Sequence, residues 1–411
     1  MSGAKPVHAP MTQFPVVADC VQVGGVSLVE LAERVGRTPF YAYDRGVITR
    51  RIELLRKHVP ADVHLHYAMK ANPMPAVVKH IAPLVDGLEV ASEGELWVAL
   101  AAGAKASTIS FAGPGKTDAD LAAAVAAGIV VNLESEREME RIAAIGRDRG
   151  LRPLVAVRVN PDFELKSSGM KMGGGPKQFG VDAERVPEML RRIGQLELEF
   201  IGFHIFSGSQ NLRAEAIREA QEKTIELAAR LATHAPSPVR VLNIGGGFGI
   251  PYFPGEQPLD IAAVGANLGG ILEGAKRGLP QARVVVELGR YIVGEAGLYV
   301  CRIIDRKVSR GHVFLITDGG LHHHLAASGN FGQVIRKNYP VVVGNRVAGS
   351  KREVASVVGP LCTPLDLLAD SMELAQADAG DLIAVFQSGA YGLTASPTAF
   401  LSHPAPAEVL V

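Results

Sequence analysis

His66-Tyr-Ala-Met-Lys70-Ala-Asn72 closes an extended apolar run, and a helix-like run begins at Pro73. A lysine at the end of a buried strand, followed by a small residue and an asparagine, is a place where an aldehyde cofactor such as pyridoxal phosphate could be held as a Schiff base. Most lysines are solvated stems and heads, so the stretch also reads as an ordinary strand-end lysine. What the rest of the chain places around Lys70 decides between the two.

Working outward from Lys70, short β-branched runs alternate with longer helical patterns. The strand candidates are 63–69, 88–91, 108–112, 129–133, 153–160, 198–206, 239–246 and 282–289. Amphipathic runs lie between them, among them 135–148 and 211–233, and another at 45–59 precedes the first strand. Eight strands with interleaved helices predict a (β/α)8 barrel of the α/β class. An open doubly wound sheet is the alternative, but it has a glycine-rich turn after its first strand, and here the glycine cluster follows the seventh. After residue 296 the runs YVCRIIDRKV, HVFLITD, REVASVVG and DLIAVFQ alternate with turn residues, which predicts a C-terminal β domain. FPVVADCVQVGGVSLVE, near the start, has the same texture and is expected to pack with it. The expected division is a mobile segment 1–15, N-terminal strands 16–44, a barrel 45–296 and a β domain 297–411.

The 411 residues are 47% hydrophobic with 45 glycines, which suits a large buried core with many tight turns. Lysine plus arginine equals aspartate plus glutamate at 42 each, so no global field favours nucleic acid or an anionic membrane. Three widely spaced cysteines make neither a disulfide framework nor a zinc site, and a reducing cytoplasm is expected. No export signal or run of about 18 apolar residues is found, so no membrane span is expected.

If the barrel is right, polar residues should gather at the carboxyl ends of its strands. Lys70 follows strand one, and Glu89, Ser92 and Glu95 surround the end of strand two. Arg158 and Asn160 end strand five; His204, Ser207 and Ser209 end strand six. Gly245, Gly246 and Gly247 end strand seven, where backbone N–H groups could approach a phosphate, or simply make a tight turn. Glu287 ends strand eight in an apolar run and needs a cationic partner, either a protonated pyridine nitrogen or Arg290. His204 could stack on a flat ring or be a satisfied core histidine.

With Lys70, the HIFSGS of 204–209, the triple glycine, the ELGR of 287–290, Cys362 and the GAY of 389–391 in this order, the chain resembles the fold-type III pyridoxal-phosphate decarboxylases from about Pro39 onward. That family includes the diaminopimelate, ornithine and arginine decarboxylases and has an alanine racemase-like barrel. The resemblance implies Lys70 as the Schiff-base lysine, His204 on the cofactor ring, and Ser207, the three glycines and Tyr391 at the phosphate. It implies Glu287 at the pyridine nitrogen, stabilising a quinonoid, with Leu288 replacing the family's proline, Gly289 among the cofactor-binding residues and Arg290 at the phosphate or the substrate carboxylate. Arg158, Arg290, Thr363 and Tyr391 are expected at the substrate. The resemblance further implies a homodimer with shared active sites, in which Cys362 enters a neighbour's site to return a proton.

Two departures bear on the substrate. Thr363 follows Cys362 where diamine-reading relatives have an acidic residue, and 318–340 lacks the diaminopimelate pattern of arginine, proline and spaced tyrosine. His322, His323 and His324, read as strand residues, would point to opposite faces, so no metal role is expected. The stretches 356–370 and 387–404 look most like a subgroup associated with exosortase and exopolysaccharide gene clusters, and the chain is also similar to an enzyme acting on glutamate tethered to an acyl carrier protein. The expected activity is decarboxylation of an amino acid without a distal free ammonium, carrier-bound in one form of the reading. The alternatives are diaminopimelate decarboxylase proper, a non-catalytic cofactor carrier, and a dinucleotide oxidoreductase, whose strand–GxGxxG–helix unit is missing.

Overall fold

The computed structural model describes residues 9–164, 170–171, 173–333 and 336–411. The first eight residues of the segment expected to be mobile, and residues 334–335 of the 318–340 segment, lie outside the described residues. The chain divides into two compact units, one of residues 50–250 and 258–291, the other of the residues up to 49, 251–257 and 292–411.

The first unit is the eight-stranded barrel. Its strands are β1 (His64–Ala68), β2 (Gly87–Val90), β3 (Ile109–Phe111), β4 (Val130–Leu133), β5 (Leu154–Asn160), β6 (Glu199–Ile205), β7 (Val241–Gly246) and β8 (Arg283–Leu288). Every neighbouring pair is parallel, and β8 closes on β1 with Glu287 opposite His66. Closure rules out the open sheet. Each strand lies within a few residues of its predicted run, because both faces are buried and the β-branched stretches are nearly continuous.

Helices α1 (Pro75–Ile81), α2 (Glu93–Ala101), α3 (Asp118–Ala127), α4 (Glu136–Arg149), α5 (Val186–Ile193), α6 (Ala214–Ala232) and α7 (Ile261–Gly278) follow β1 to β7 in turn. Four of these starts are set by side chains that satisfy the first free N–H groups: Ser92 accepts from Glu95, Ser135 from Glu138 and Asp260 from Ala263, while Thr117 and Asp120 form a reciprocal capping box. On α4, Met139, Ile142, Ala143 and Gly146 recur at helical spacing and are buried. Each large aliphatic side chain buried this way contributes about 1.5–3 kcal/mol.

In the second unit the long strand Gly297–Ser309 pairs antiparallel with Phe40–Tyr43, His312–Thr317 and Leu382–Val385. Ala407–Leu410 runs parallel to Phe40–Tyr43, so segments from both ends of the chain share one sheet. Cys20–Val23 makes its own small sheet with Val16–Val17 and Val26–Ser27, and packs Val21 and Val23 against Phe40, Leu298, Val300 and Phe386. Phe14 is buried in the same cluster, and the Pro10 carbonyl accepts from Gln387.

One expectation is corrected here. His322, His323 and His324 lie in a turn rather than on a strand, since Gly319-Gly320 before them and the Gly329 and Gly332 region after them break any extended run. The three imidazoles do not alternate between faces: the rings of His322 and His323 lie 3.7 Å apart.

Candidate active site

Lys70 does not sit on the first strand itself but in a 3₁₀ turn, Met69–Ala71, just beyond it. Gly289, at the end of β8, makes this turn possible: a side chain there would come within 2.8 Å of the Ala71 methyl and 3.0 Å of the Ala68 carbonyl. The Lys70 ammonium lies 3.2 Å from Glu89 Oε1 and 3.6 Å from Glu287 Oε1. His204, 2% exposed, lies between the same carboxylates, with Nδ1 3.8 Å from Glu89 and Nε2 3.6 Å from Glu287. These separations are too long for hydrogen bonds. Among the described residues, His204 Nδ1 and Glu89 Oε2 have no hydrogen-bond partner.

The charges sort themselves by environment. Burial pushes Glu89 up, and the Glu287 charge beside it pushes it further. Burial acts against Glu287 too, but Lys70, the Glu89 hydroxyl, His204 and the Asn243 amide outweigh it and hold Glu287 below the usual carboxylate range. Burial lowers His204 to about 4, so the imidazole is neutral at pH 7. The resting cluster is therefore one ammonium, one carboxylate, one carboxylic acid and one neutral imidazole. Glu89, His204 and Glu287 form the one group with metal-ligand spacing among the described residues. Lys70 already supplies the positive charge there.

Asn243 was not singled out in the sequence and has a central place. Its amide donates to Glu287 Oε2 at 2.9 Å, and its carbonyl oxygen accepts from Gly245 N–H at 2.8 Å. The same side chain thus fixes the carboxylate and the start of the glycine turn. Gly245 and Gly247 adopt φ of +66° and +70°, which favours glycine. A Cβ on Gly245, Gly246 or Gly247 would collide with the Phe206 ring, the Glu287 carbonyl and the Gly208 carbonyl respectively. The turn is tied to the loop after β6, where Ser207 is buried, by Asn211 N–H to the Gly247 carbonyl at 2.9 Å and Gly249 N–H to the Asn211 carbonyl at 2.8 Å.

Arg158 is less available than expected of a substrate contact. Its guanidinium donates to Glu134 at 2.7 Å and lies over the Phe179 ring at 4.9 Å. Glu134 also accepts from Gly113 and Gly180 N–H. Burial raises Glu134, but Arg158 outweighs it and the carboxyl stays ionised. Arg290 opens the short helix Arg290–Val293 after β8.

Cys362, Thr363 and Tyr391 belong to the second unit. Cys362 is an exposed free thiol. Its turn is held by Asp366, whose carboxylate accepts from Leu361 N–H at 2.8 Å and from Leu321 N–H at 2.6 Å, joining it to the histidine turn. Thr363 spends its N–H on the Leu361 carbonyl and its Oγ1 on Leu365 N–H. Tyr391 has φ +53°, a conformation uncommon for a non-glycine residue. His323 bonds Tyr299 and the Pro404 carbonyl, and His324 bonds Ser388, whereas both ring nitrogens of fully buried His322 have no partner among the described residues.

The barrel unit fits pyridoxal phosphate by its donor set: an amine flanked by carboxylates, a buried ionised glutamate, a flat neutral imidazole and a glycine turn that no Cβ could enter. Comparison with known proteins gives the same family. Residues 45–294 match the family model described as pyridoxal-dependent decarboxylase, pyridoxal binding domain. The L-glutamyl-[BtrI acyl-carrier protein] decarboxylase of Niallia circulans is 38% identical over 91% of this chain and 88% of its own. The diaminopimelate decarboxylase of Aquifex aeolicus is 35% identical over 95% and 90%. The crystal structure of diaminopimelate decarboxylase from Helicobacter pylori complexed with L-lysine has a TM-score of 0.83 at 27% identity, covering 93% of this chain and 94% of that one. No described helix is long and apolar enough to cross a membrane. With its closed barrel, its separate sheet unit and matches that span both, the chain belongs to the pyridoxal-dependent decarboxylases and is a carboxy-lyase.

Proposed function

We propose that this protein binds pyridoxal phosphate at Lys70 and decarboxylates an amino acid that has no distal free ammonium and is presented on a carrier protein. The observation that carries the cofactor half is the placement of Lys70 Nζ between Glu89 and Glu287, with His204 beside it. Bound there, the cofactor supplies an electron-poor ring that takes up the electron pair of the broken carbon–carboxylate bond. Glu287, kept ionised, would hold a proton on the ring nitrogen. Neutral His204 would lie flat on the ring without competing for that proton. Gly246, Gly247, Ser207 and Tyr391 would receive the phosphate, with Arg290 at the phosphate or the substrate carboxylate. Cys362, entering from a second copy of the chain, would return the proton to the product carbon.

The substrate half rests on Thr363 and on the 38% relative named for a carrier-bound glutamyl group. Thr363 has no charge with which to read a distal ammonium. The stretches 356–370 and 387–404 support the subgroup associated with exosortase and exopolysaccharide clusters. Carbon dioxide release from free diaminopimelate, free ornithine, free glutamate and a glutamyl-loaded carrier protein tests the reading. Turnover should be highest on the neutral or acidic substrates, best when tethered. If free diaminopimelate or ornithine proves far better, the second reading, diaminopimelate decarboxylase proper, which the 35% relative favours, replaces it.

A further inference from the structure

Side chains usually fill a barrel of this kind from end to end, with bulky branched residues in every layer. This one is not filled at its amino-terminal end. There a cavity of about 100 Å³ opens, enough for several waters or a small organic molecule. Its walls are mostly apolar, from Ile109, Val130, Ile201, Phe203, Val241 and Val285, and the gap exists because Ser110 and Ala156 stand at inward positions where larger residues would close it.

The polar groups in the wall share one property. Arg283 at the mouth is exposed, and its guanidinium pairs with no carboxylate among the described residues. Asp86, the one carboxylate in the lining, is taken by Arg56 at 2.7 Å and by Leu65 N–H at 2.7 Å. Deeper in, Asn132 is 3% exposed and its amide nitrogen has no partner, and neither do Ser110 Oγ or His66 Nδ1. The wall therefore offers one unpaired cation and neutral polar groups around an apolar space, and its single carboxylate is paired with Arg56.

We propose that this cavity is a second binding site, for a small carboxylate with an apolar body, whose carboxylate meets Arg283 at the mouth and whose body lies against Val130, Phe203 and Val285. The carboxylate finds the unpaired guanidinium, and the apolar body takes the apolar part of the wall out of contact with water. The cavity shares Asn243 with the site proposed above, but that side chain is spent on Glu287 and Gly245 N–H, so the proposal rests on Arg283 and the apolar wall and not on the Lys70 cluster.

Sodium butyrate is the probe and butyramide its uncharged counterpart, with binding to the full-length protein followed by saturation-transfer NMR. Butyrate should bind with a Kd of about 1 mM, a reasonable affinity for so small a ligand. Arg283→Gln should weaken butyrate at least fivefold and leave butyramide unchanged. Ala156→Leu, which fills the cavity, should abolish both, and Ser110→Val provides a second filling variant where Ala156→Leu does not fold. No butyrate signal at 20 mM with the wild-type protein overturns the proposal, as does equal binding of butyrate to the wild type and Arg283→Gln. Binding that survives a folded filling variant also overturns it, because the ligand is then held elsewhere.

Discussion

Replacing Glu89 by glutamine tests the charge assignment of the Lys70 cluster directly. Glu89 is buried and its carboxyl is pushed up by desolvation and then by Glu287. At pH 4 it carries its proton in both the folded and the unfolded chain. As pH rises past the unfolded value, about 4.3, the unfolded chain ionises while the folded protein keeps the proton. Folding then loses about 1.4 kcal/mol for each pH unit up to the folded pKa. Glutamine donates to Glu287 as the protonated acid does and has nothing to ionise. A barrel of this size shifts its midpoint by about 2–4 °C per kcal/mol. The cofactor-free Glu89→Gln protein should therefore gain on the wild type by roughly 3–6 °C per pH unit above pH 5 until the folded carboxyl itself ionises, where the gain levels off, and by almost nothing at pH 4. Thermal unfolding followed by circular dichroism from pH 4 to 8 measures this. A midpoint difference that is flat with pH, or a wild type that gains on the variant as pH rises, would refute the assignment of the shared proton to Glu89.

The remaining predictions concern other parts of the protein. Lys116 is buried, and its ammonium meets the Gly113 and Asn132 carbonyls at 2.7 and 2.8 Å and Glu138 at 3.1 Å; Lys116→Met leaves Glu138 without its cation and should cost about 3–5 kcal/mol in urea unfolding, and a loss under 1 kcal/mol would show the pair to be dispensable. Gly247→Ala forces a Cβ onto the Gly208 carbonyl at φ +70°; it should weaken pyridoxal phosphate at least tenfold in a fluorescence titration and leave unphosphorylated pyridoxal nearly unaffected, whereas equal losses for both would remove the turn from the phosphate. Mixing Lys70→Ala with Cys362→Ala protein should restore about a quarter of wild-type activity under random exchange of two-fold dimers, and no recovery counts against shared sites.

Much of the barrel was legible because each of its strands is buried on both faces and so leaves a dense β-branched run in the sequence. The Lys70 turn was less so: a 3₁₀ turn of three residues has no period of its own, and what permits it is Gly289, more than two hundred positions away. Asn243 and Glu134 escaped for a related reason. Asn243 lies within β7 and Glu134 just beyond the end of β4, and the importance of each comes from partners on other strands. Val241, Asn243 and Gly245 do alternate along β7, so an amide facing the barrel interior was a readable signal. The histidine triplet misled because three like residues invite a single reading, while the flanking glycines already marked a turn.

The pairing of Ala407–Leu410 with Phe40–Tyr43 sets an order of events during synthesis. Residues 50 to 291, the barrel, are complete on the ribosome well before residue 407 is made, and domains generally fold as they emerge. The strand Phe40–Tyr43, made early, must wait with one edge open until the final segment arrives. An open edge is a template for unwanted pairing, so the last strand is also a guard: a ribosome that stalls shortly before residue 407 releases a finished barrel carrying an unsealed sheet.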